Sequence, residues 1–310
     1  MSGGSIRGGP PADLDQLVVR ACQHVGIPVR RPRLLRHFAN AVYLIEHVPV
    51  VARVAYGTGS IERARTAITV THSLASEGFP ATEPAFPVIG DQPVIFAAPD
   101  EVAVTFWRYY PQPPQPPDWD PAVVGRMALQ LHDLTPAPPV PLPTFVPLRS
   151  IRRTVRNALA AGSFDEDGLE WLSRRIDSLL QEYDSLQFPL GTGLIHGDMY
   201  AGNLLRVDDG TAVLGDWDSV CIGPREIDLA PTFTATRFGL DVALVDRFAR
   251  AYGYDLRDWS GYWTLRAMRE VSTLTALVRL APTDESSADE LRHRLTSLRH
   301  NDSAATWNRR

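Results

Sequence analysis

The chain has 310 residues, 44% of them hydrophobic, with a formal net charge of −5 and an isoelectric point of about 5.9. That length suits one large core or two lobes, and two are expected; the acidic balance offers no broad basic surface for nucleic acid. No apolar run approaches the roughly eighteen residues that span a bilayer, and all 31 basic residues are arginine, which excludes a Walker A loop because that motif needs a lysine.

Residues 1–11 lack the apolar centre of a signal peptide and read as a flexible tail, so a cytoplasmic protein is expected. Cys22 and Cys221 stand far apart and suggest neither a disulfide framework nor a zinc site. Leu14, Leu17, Val18, Ala21, Cys22 and Val25 form a helical stripe closed by Gly26 and Pro28. Three strand-like runs follow, Arg33–Phe38, Ala41–His47 and Val48–Ala55. A helix over Ser60–Glu77 has Ser60 as its expected N-cap and Gly78 just past its end. Val102–Tyr110 reads as the last strand of the first lobe, and the proline run Pro111–Pro117 as a semi-rigid linker. The lobes expected are therefore 1–110 and 111–310.

In the second lobe Asp120-Pro121 opens a helix in cap-then-proline order, with Val124, Met127, Ala128 and Leu131 on one face and His132 as a structural residue. After a proline passage at Pro136–Pro147, Asp165–Leu186 has apolar residues at helical spacing. Beyond Pro231 the pattern gives helices over Leu240–Tyr252, Trp259–Leu280 and Glu285–His300.

Between these helices lies the stretch that carries chemistry. His196, Asp198 and Asn203 have the spacing H-x-D-x-x-x-x-N, which in phosphoryl transfer puts a catalytic carboxylate and a metal-binding amide on one loop. Asp216 and Asp218 follow in Gly215-Asp216-Trp217-Asp218. The intervening Asp209-Gly210 pair predicts a two-residue hairpin turn. That turn would set Val207 against Ala212 and Asn203 against Asp216, so an amide oxygen and a carboxylate would face one small volume suited to Mg²⁺. Asp216 is expected as the main metal ligand, with Asp218 as a supporting group.

With HGDMYAGNLL at His196–Leu205 and GDWDSVCIGPREIDLA at Gly215–Ala230, the chain resembles the aminoglycoside phosphotransferase and choline kinase group, small-molecule kinases with a protein-kinase-like fold. The resemblance runs through most of the chain in order and is strongest over 193–230. It implies an α+β fold with an N-terminal antiparallel-sheet lobe and a larger, mostly helical C-terminal lobe. Asp198 would be the catalytic base, Asn203 and Asp216 the Mg²⁺ ligands, and Asp228 the buried carboxylate that braces the catalytic loop together with His196. Asp218 would stand behind the metal as a supporting group. Arg53, on the third strand, occupies the place of the basic residue that reaches for nucleotide phosphates, and a surface ion pair is its plain structural alternative. The loop His37–Asn40 that would cover those phosphates has no glycine, and leaves Asn40 as a nucleotide-binding candidate. Arg108 and Tyr109 would form the hinge whose backbone reads the purine.

Ala67 takes the position where the family's helix usually carries a glutamate paired with the strand base. The nearest acid, Glu62, either pairs with Arg53 or only favours the helix N-terminus. Arg266, Arg269 and Glu270 are the acceptor-binding candidates, against the alternative of a solvated charged face. The expected activity is transfer of the γ-phosphate of ATP or GTP to a hydroxyl of a small molecule, an antibiotic being the first choice and a sugar or amino alcohol the metabolic alternative. A nucleotide-binding, pseudokinase-like sensor is the non-catalytic alternative. A monomer or weak homodimer is expected, with no nucleic-acid or membrane partner.

Overall fold

The computed structural model describes residues 13–29, 31–37, 40–85, 93–96, 101–114, 118–134, 141–162, 164–207 and 210–308. The chain divides into two compact units. The first is Met1–Asp118 with Thr135–Leu142 and Asn203–Val220; the second is Trp119–Leu134, Pro143–Gly202 and Cys221–Arg310. In this division the Asn203–Val220 hairpin segment groups with the N-terminal residues.

In the first unit, helix α1 (Leu14–His24) is capped by the Asp13 side chain, which accepts from the Gln16 N–H at 2.9 Å. Strands β1 (Arg33–His37), β2 (Ala41–Ile45), β3 (Val50–Tyr56), β4 (Val94–Phe96) and β5 (Val102–Arg108) form an antiparallel sheet in the order β1-β2-β3-β5-β4. Tyr43, Ile45, Ala52, Val54 and Phe106 bury with Val18, Ala21 and Cys22 of α1 in one core. The period of two along β3 puts Arg53 on the face opposite Ala52 and Val54. Phe38, the end of the first expected strand, lies outside the described residues.

Helix α2 (Ser60–Ser76) starts from Gly59, not from a Ser60 cap. Gly59 takes a left-handed φ of +74°, which glycine adopts without a Cβ penalty, and the Ser60 hydroxyl donates instead to the Glu101 carbonyl.

Strands β6 (Thr192–Ile195) and β9 (Cys221–Pro224) pair in the second unit, and β7 (Leu204–Arg206) and β8 (Ala212–Leu214) pair in the first. The β7–β8 register is Leu204↔Leu214, Leu205↔Val213 and Arg206↔Ala212. Val207 N–H donates to the Thr211 carbonyl, so the loop holds three residues, with Gly210 left-handed at its end (φ +84°). Asp208 and Asp209 lie outside the described residues. The expected register is thus displaced by one residue, and Asn203 stands across from Gly215, whose N–H donates to the Asn203 carbonyl at 2.9 Å, not from Asp216. The hairpin is tied to the end of α2 by Leu214 N–H to Pro80 and Thr82 N–H to Leu214, and by Trp217 edge-on to Phe79.

The second unit contains α3 (Pro121–Asp133), α4 (Arg149–Ala160), α5 (Glu166–Asp184), α6 (Glu226–Thr234), α7 (Val242–Tyr252), α8 (Tyr262–Ser272), α9 (Thr275–Leu280) and α10 (Glu285–Arg299). α4 and α6 were not expected, and the single helix expected over Trp259–Leu280 is two, α8 and α9. One core joins Ile151 and Val155 of α4, Leu169, Leu172, Ile176 and Leu179 of α5, Val271, Leu277, Leu291 and Leu295. The chain end closes over the same unit. Trp307 is buried, with the guanidiniums of Arg237 and Arg294 at 4.8 and 5.1 Å from its ring, and its N–H donates to the Arg237 carbonyl. No helix among the described residues is long and apolar enough to cross a membrane.

Candidate active site

The first unit gathers Arg53, Asn40, Asp216 and Asp218. Arg53 sits on β3 between Val42 of β2 and Thr105 of β5, which aims its side chain off the face away from α1. Its guanidinium grips Asp218 with both forks, Nη1 to Oδ1 at 2.6 Å and Nη2 to Oδ2 at 2.7 Å, and Nη2 also reaches Asp216 Oδ1 at 2.6 Å. The Asn40 amide donates to Asp218 Oδ2 at 2.8 Å. Burial of Arg53 works against its charge, but the two carboxylates outweigh it and raise the guanidinium above its ordinary value.

Backbone geometry explains the convergence. β8 ends at Leu214, and Asp216 turns left-handed at φ +63° into a short 3-10 helix over Trp217–Ser219. The backbone there is a turn and not a continuation of the strand, and both aspartates meet one arginine. Trp217, buried and donating through Nε1 to the Leu214 carbonyl, fixes the turn. Asp218 spends both oxygens on Arg53 and Asn40, whereas Asp216 Oδ2 takes no hydrogen bond among the described residues. Asn203 is buried.

Glu62 pairs with Arg65 at 3.2 Å in an exposed position, so it is not the partner of Arg53, and Ala67 is buried. Asp218 fills the role of acidic partner from a different element. The signal for this was present in the sequence as the acid missing from α2, but nothing in the sequence pointed to its replacement.

At the hinge position, Arg108 N–H donates to the Glu83 carbonyl and Tyr109 N–H to the Pro49 carbonyl. Their backbone donors are therefore already committed. The Arg108 guanidinium pairs with Glu83 and lies over the Tyr110 ring.

The second unit holds the loop of Asp198. The Asp228 carboxylate, fully buried at the start of α6, accepts the His196 N–H on Oδ2 and the Gly197 N–H on Oδ1, each at 2.7 Å. Asp198 N–H donates to His196 Nδ1 at 3.3 Å. Behind them His132 lies 3.2 Å from Asp228 through Nε2 and 2.9 Å from the Tyr252 hydroxyl through Nδ1. An ionised Asp228 carboxylate only accepts, which assigns the hydrogen to Nε2 and leaves Nδ1 of the neutral ring to accept from the Tyr252 hydroxyl. His132, expected as a structural residue, is thereby tied to the loop brace.

Asp198 Oδ1 is 2.9 Å from Arg269 Nη2. The other two acceptor candidates are not beside it in the same way: buried Glu270 accepts from Arg237 Nε at 2.6 Å and Arg266 Nε at 3.0 Å, and Arg266 also donates to the Tyr262 hydroxyl. Arg237, which the sequence reading missed, anchors this cluster to the Asp302 and Ala305 carbonyls of the chain end.

A family model described as the phosphotransferase enzyme family matches residues 32–271. The chain belongs to this family. No curated protein matches the sequence. Among solved structures, this phosphotransferase is similar to amicoumacin kinase in complex with AMP-PNP, Ca²⁺ and Ami, with 13% identity, a TM-score of 0.71 and 96% of each chain covered. It is similar to a microcompartment-associated aminopropanol kinase, with 16% identity, a TM-score of 0.69, and 94% of this chain and 98% of the other covered. A choline/ethanolamine kinase family protein from Mesorhizobium loti shows 16% identity and a TM-score of 0.59 over 91% of this chain and 94% of the other. At such identities the likeness is one of fold. The phosphotransferase thus has a protein-kinase-like α+β fold, an N-terminal antiparallel sheet followed by a mostly helical C-terminal portion.

Proposed function

We propose that this phosphotransferase moves the γ-phosphoryl group of ATP or GTP to a hydroxyl of a small molecule, with an antibiotic as the favoured acceptor. The observation that carries the reading is the Asp198 loop, whose two preceding backbone N–H groups are clamped on one buried carboxylate at 2.7 Å each. A loop held so firmly suits a reaction in which positioning, not covalent participation, supplies the acceleration.

Asp198 is assigned as the base. The acceptor oxygen forms the new bond to the γ-phosphorus as the bond to the β–γ bridging oxygen breaks. The hydroxyl proton passes to Asp198 and the nucleoside diphosphate leaves. Arg269 keeps the Asp198 carboxylate oriented and belongs to the acceptor side. Arg53 supplies a permanent positive charge and forked donors for the donor phosphates, and Asn40 and Asp218 hold it. Arg108 and Tyr109 are assigned to the purine side through groups other than their committed N–H donors.

Asp216 suits Mg²⁺ as a ligand, since its Oδ2 carries no hydrogen bond among the described residues; Asn203 is assigned as the second ligand on family membership alone, because the displaced hairpin does not set it opposite Asp216. When bound, that ion neutralises the phosphates. Arg266 and Glu270 are assigned to shaping the acceptor side from behind, as members of the Arg237 cluster. Antibiotic acceptors appear in the names of two similar structures, the amicoumacin kinase and a spectinomycin phosphotransferase, and support the favoured acceptor. The aminopropanol kinase supports a metabolic amino alcohol as the second reading.

The test is turnover with ATP or GTP and Mg²⁺ across antibiotics, amino alcohols and sugars, with the phosphorylated product identified by mass spectrometry. Asp198→Asn should lower turnover by about 10²–10⁴-fold and leave nucleotide affinity unchanged. Nucleotide binding without turnover on any acceptor would favour the sensor.

A further inference from the structure

The three charges of the first unit make an unusual arrangement for a metal site. Arg53 contributes +1 and the two aspartates −2, so half of the carboxylate charge is cancelled from within and −1 remains. The guanidinium also takes one oxygen of the very residue assigned as metal ligand. The grip is unequal. Nη1 binds Asp218 alone, while Nη2 is divided between Asp218 and Asp216. Releasing Asp216 costs one contact and leaves the fork on Asp218 whole, and Asn40 holds Asp218 where it is. Arg53 Nε–H remains buried without a partner among the described residues, a donor still to be satisfied.

We propose that Arg53 is an internal counter-cation that holds Asp216 until nucleotide phosphates draw it off, so that divalent metal enters this site only together with nucleotide. The inference rests on the metal–nucleotide reading above and adds an order to it. A divalent ion arriving alone meets a cluster whose negative charge is halved and whose Asp216 already has a guanidinium at contact distance, so its attraction to the carboxylates is opposed by the arginine's charge. Triphosphate oxygens offer the guanidinium a second forked partner. Arg53 then pivots on Asp218, and Asp216 is freed when the negative charge needed to hold the ion has arrived. By linkage, nucleotide and metal must each strengthen the binding of the other by the same factor.

Mn²⁺ serves as the probe, counted by electron paramagnetic resonance in titrations of the full chain with and without AMP-PNP. Nucleotide-free protein should bind Mn²⁺ at least tenfold more weakly than Arg53→Gln, which leaves both aspartates uncompensated. Arg53→Lys, which keeps the charge, should stay with the unaltered protein. AMP-PNP should tighten Mn²⁺ binding to the unaltered protein by at least tenfold beyond the affinity of Mn²⁺ for AMP-PNP itself, and this comparison needs no variant should Arg53→Gln fail to fold. Equal Mn²⁺ affinity with and without AMP-PNP would overturn the inference and leave the phosphotransferase reading standing. Failure of the protein to bind Mn²⁺ with AMP-PNP at all would overturn that reading and the inference with it.

Discussion

Replacing Asp228 with alanine tests how the Asp198 loop is held. The carboxylate is 0% exposed and receives two backbone N–H groups at 2.7 Å and the His132 Nε2–H at 3.2 Å. Its removal leaves these donors without the acceptor they are built around, and each buried orphan costs about 1–3 kcal/mol. With partial relaxation by water entering the space, the expected loss is about 3–5 kcal/mol, a large share of the roughly 5–15 kcal/mol that holds a domain together. Calorimetry should show melting lowered by about 6–10 °C, taking roughly 2 °C per kcal/mol for a chain of this size. Hydrogen exchange at the His196 and Gly197 amides should accelerate by about 10²-fold or more in the variant. Melting within a degree of the parent, with those two amides still protected, would refute the claim that Asp228 clamps the loop.

Asp218→Asn should weaken nucleotide binding about tenfold while changing turnover at saturation much less, because it loosens Arg53 and leaves Asp198 untouched; equal losses in both parameters would argue against a donor-side role. Burial pushes the Cys22 thiol up to about 11 and the Cys221 thiol up to about 12, so neither should react with a maleimide at neutral pH until the protein unfolds. Rapid labelling of the native chain would contradict the buried positions. Burial raises the Glu290 carboxyl, but Arg294 and Asn308 outweigh it and hold it below its ordinary 4.5. Its stabilising contribution is present above the unfolded value and should be lost as pH falls through the folded one, so melting temperature should drop below about pH 4.5 and Glu290→Gln should flatten that acid limb. Trp307→Ala removes an aromatic ring packed against Arg237 and Arg294, and should cost about 3–5 kcal/mol in denaturant unfolding.

Much of the framework could be read directly from residue pattern, because caps and apolar spacing act locally. The Asp120-Pro121 start of α3 and the stripe of α5 are examples, and the strands around Arg53 fall where their alternation puts them. α4 carries helical spacing at Ile151, Val155, Ala158 and Leu159, but Arg149, Arg152, Arg153 and Arg156 lower its overall hydropathy and the proline passage before it masked its start. α6 was hidden because Pro231, which ordinarily ends a helix, lies inside it. The hairpin taught the sharper lesson. An Asp-Gly pair marks a turn but not its length, and one extra loop residue moved Asn203 from Asp216 to Gly215. Nor could any local rule foresee that a left-handed Asp216 would swing two aspartates onto one arginine, a contact spanning 163 and 165 residues of sequence.

The buried chain end changes how the family match itself should be understood. The family model's match ends at residue 271, yet Arg237, inside the match, gives its guanidinium to carbonyls at 302 and 305, and Leu277, Leu291 and Leu295 complete the core begun by α4 and α5. At the other end, α1 lies before residue 32 and supplies Val18, Ala21 and Cys22 to the sheet's core. The stretch that carries the inherited chemistry is therefore shorter than the stretch that folds. A gene fragment trimmed to the span of the family model would encode every proposed catalytic residue and expose the interior on both flanks, so shuffling this phosphotransferase among backbones requires moving both flanks along with it.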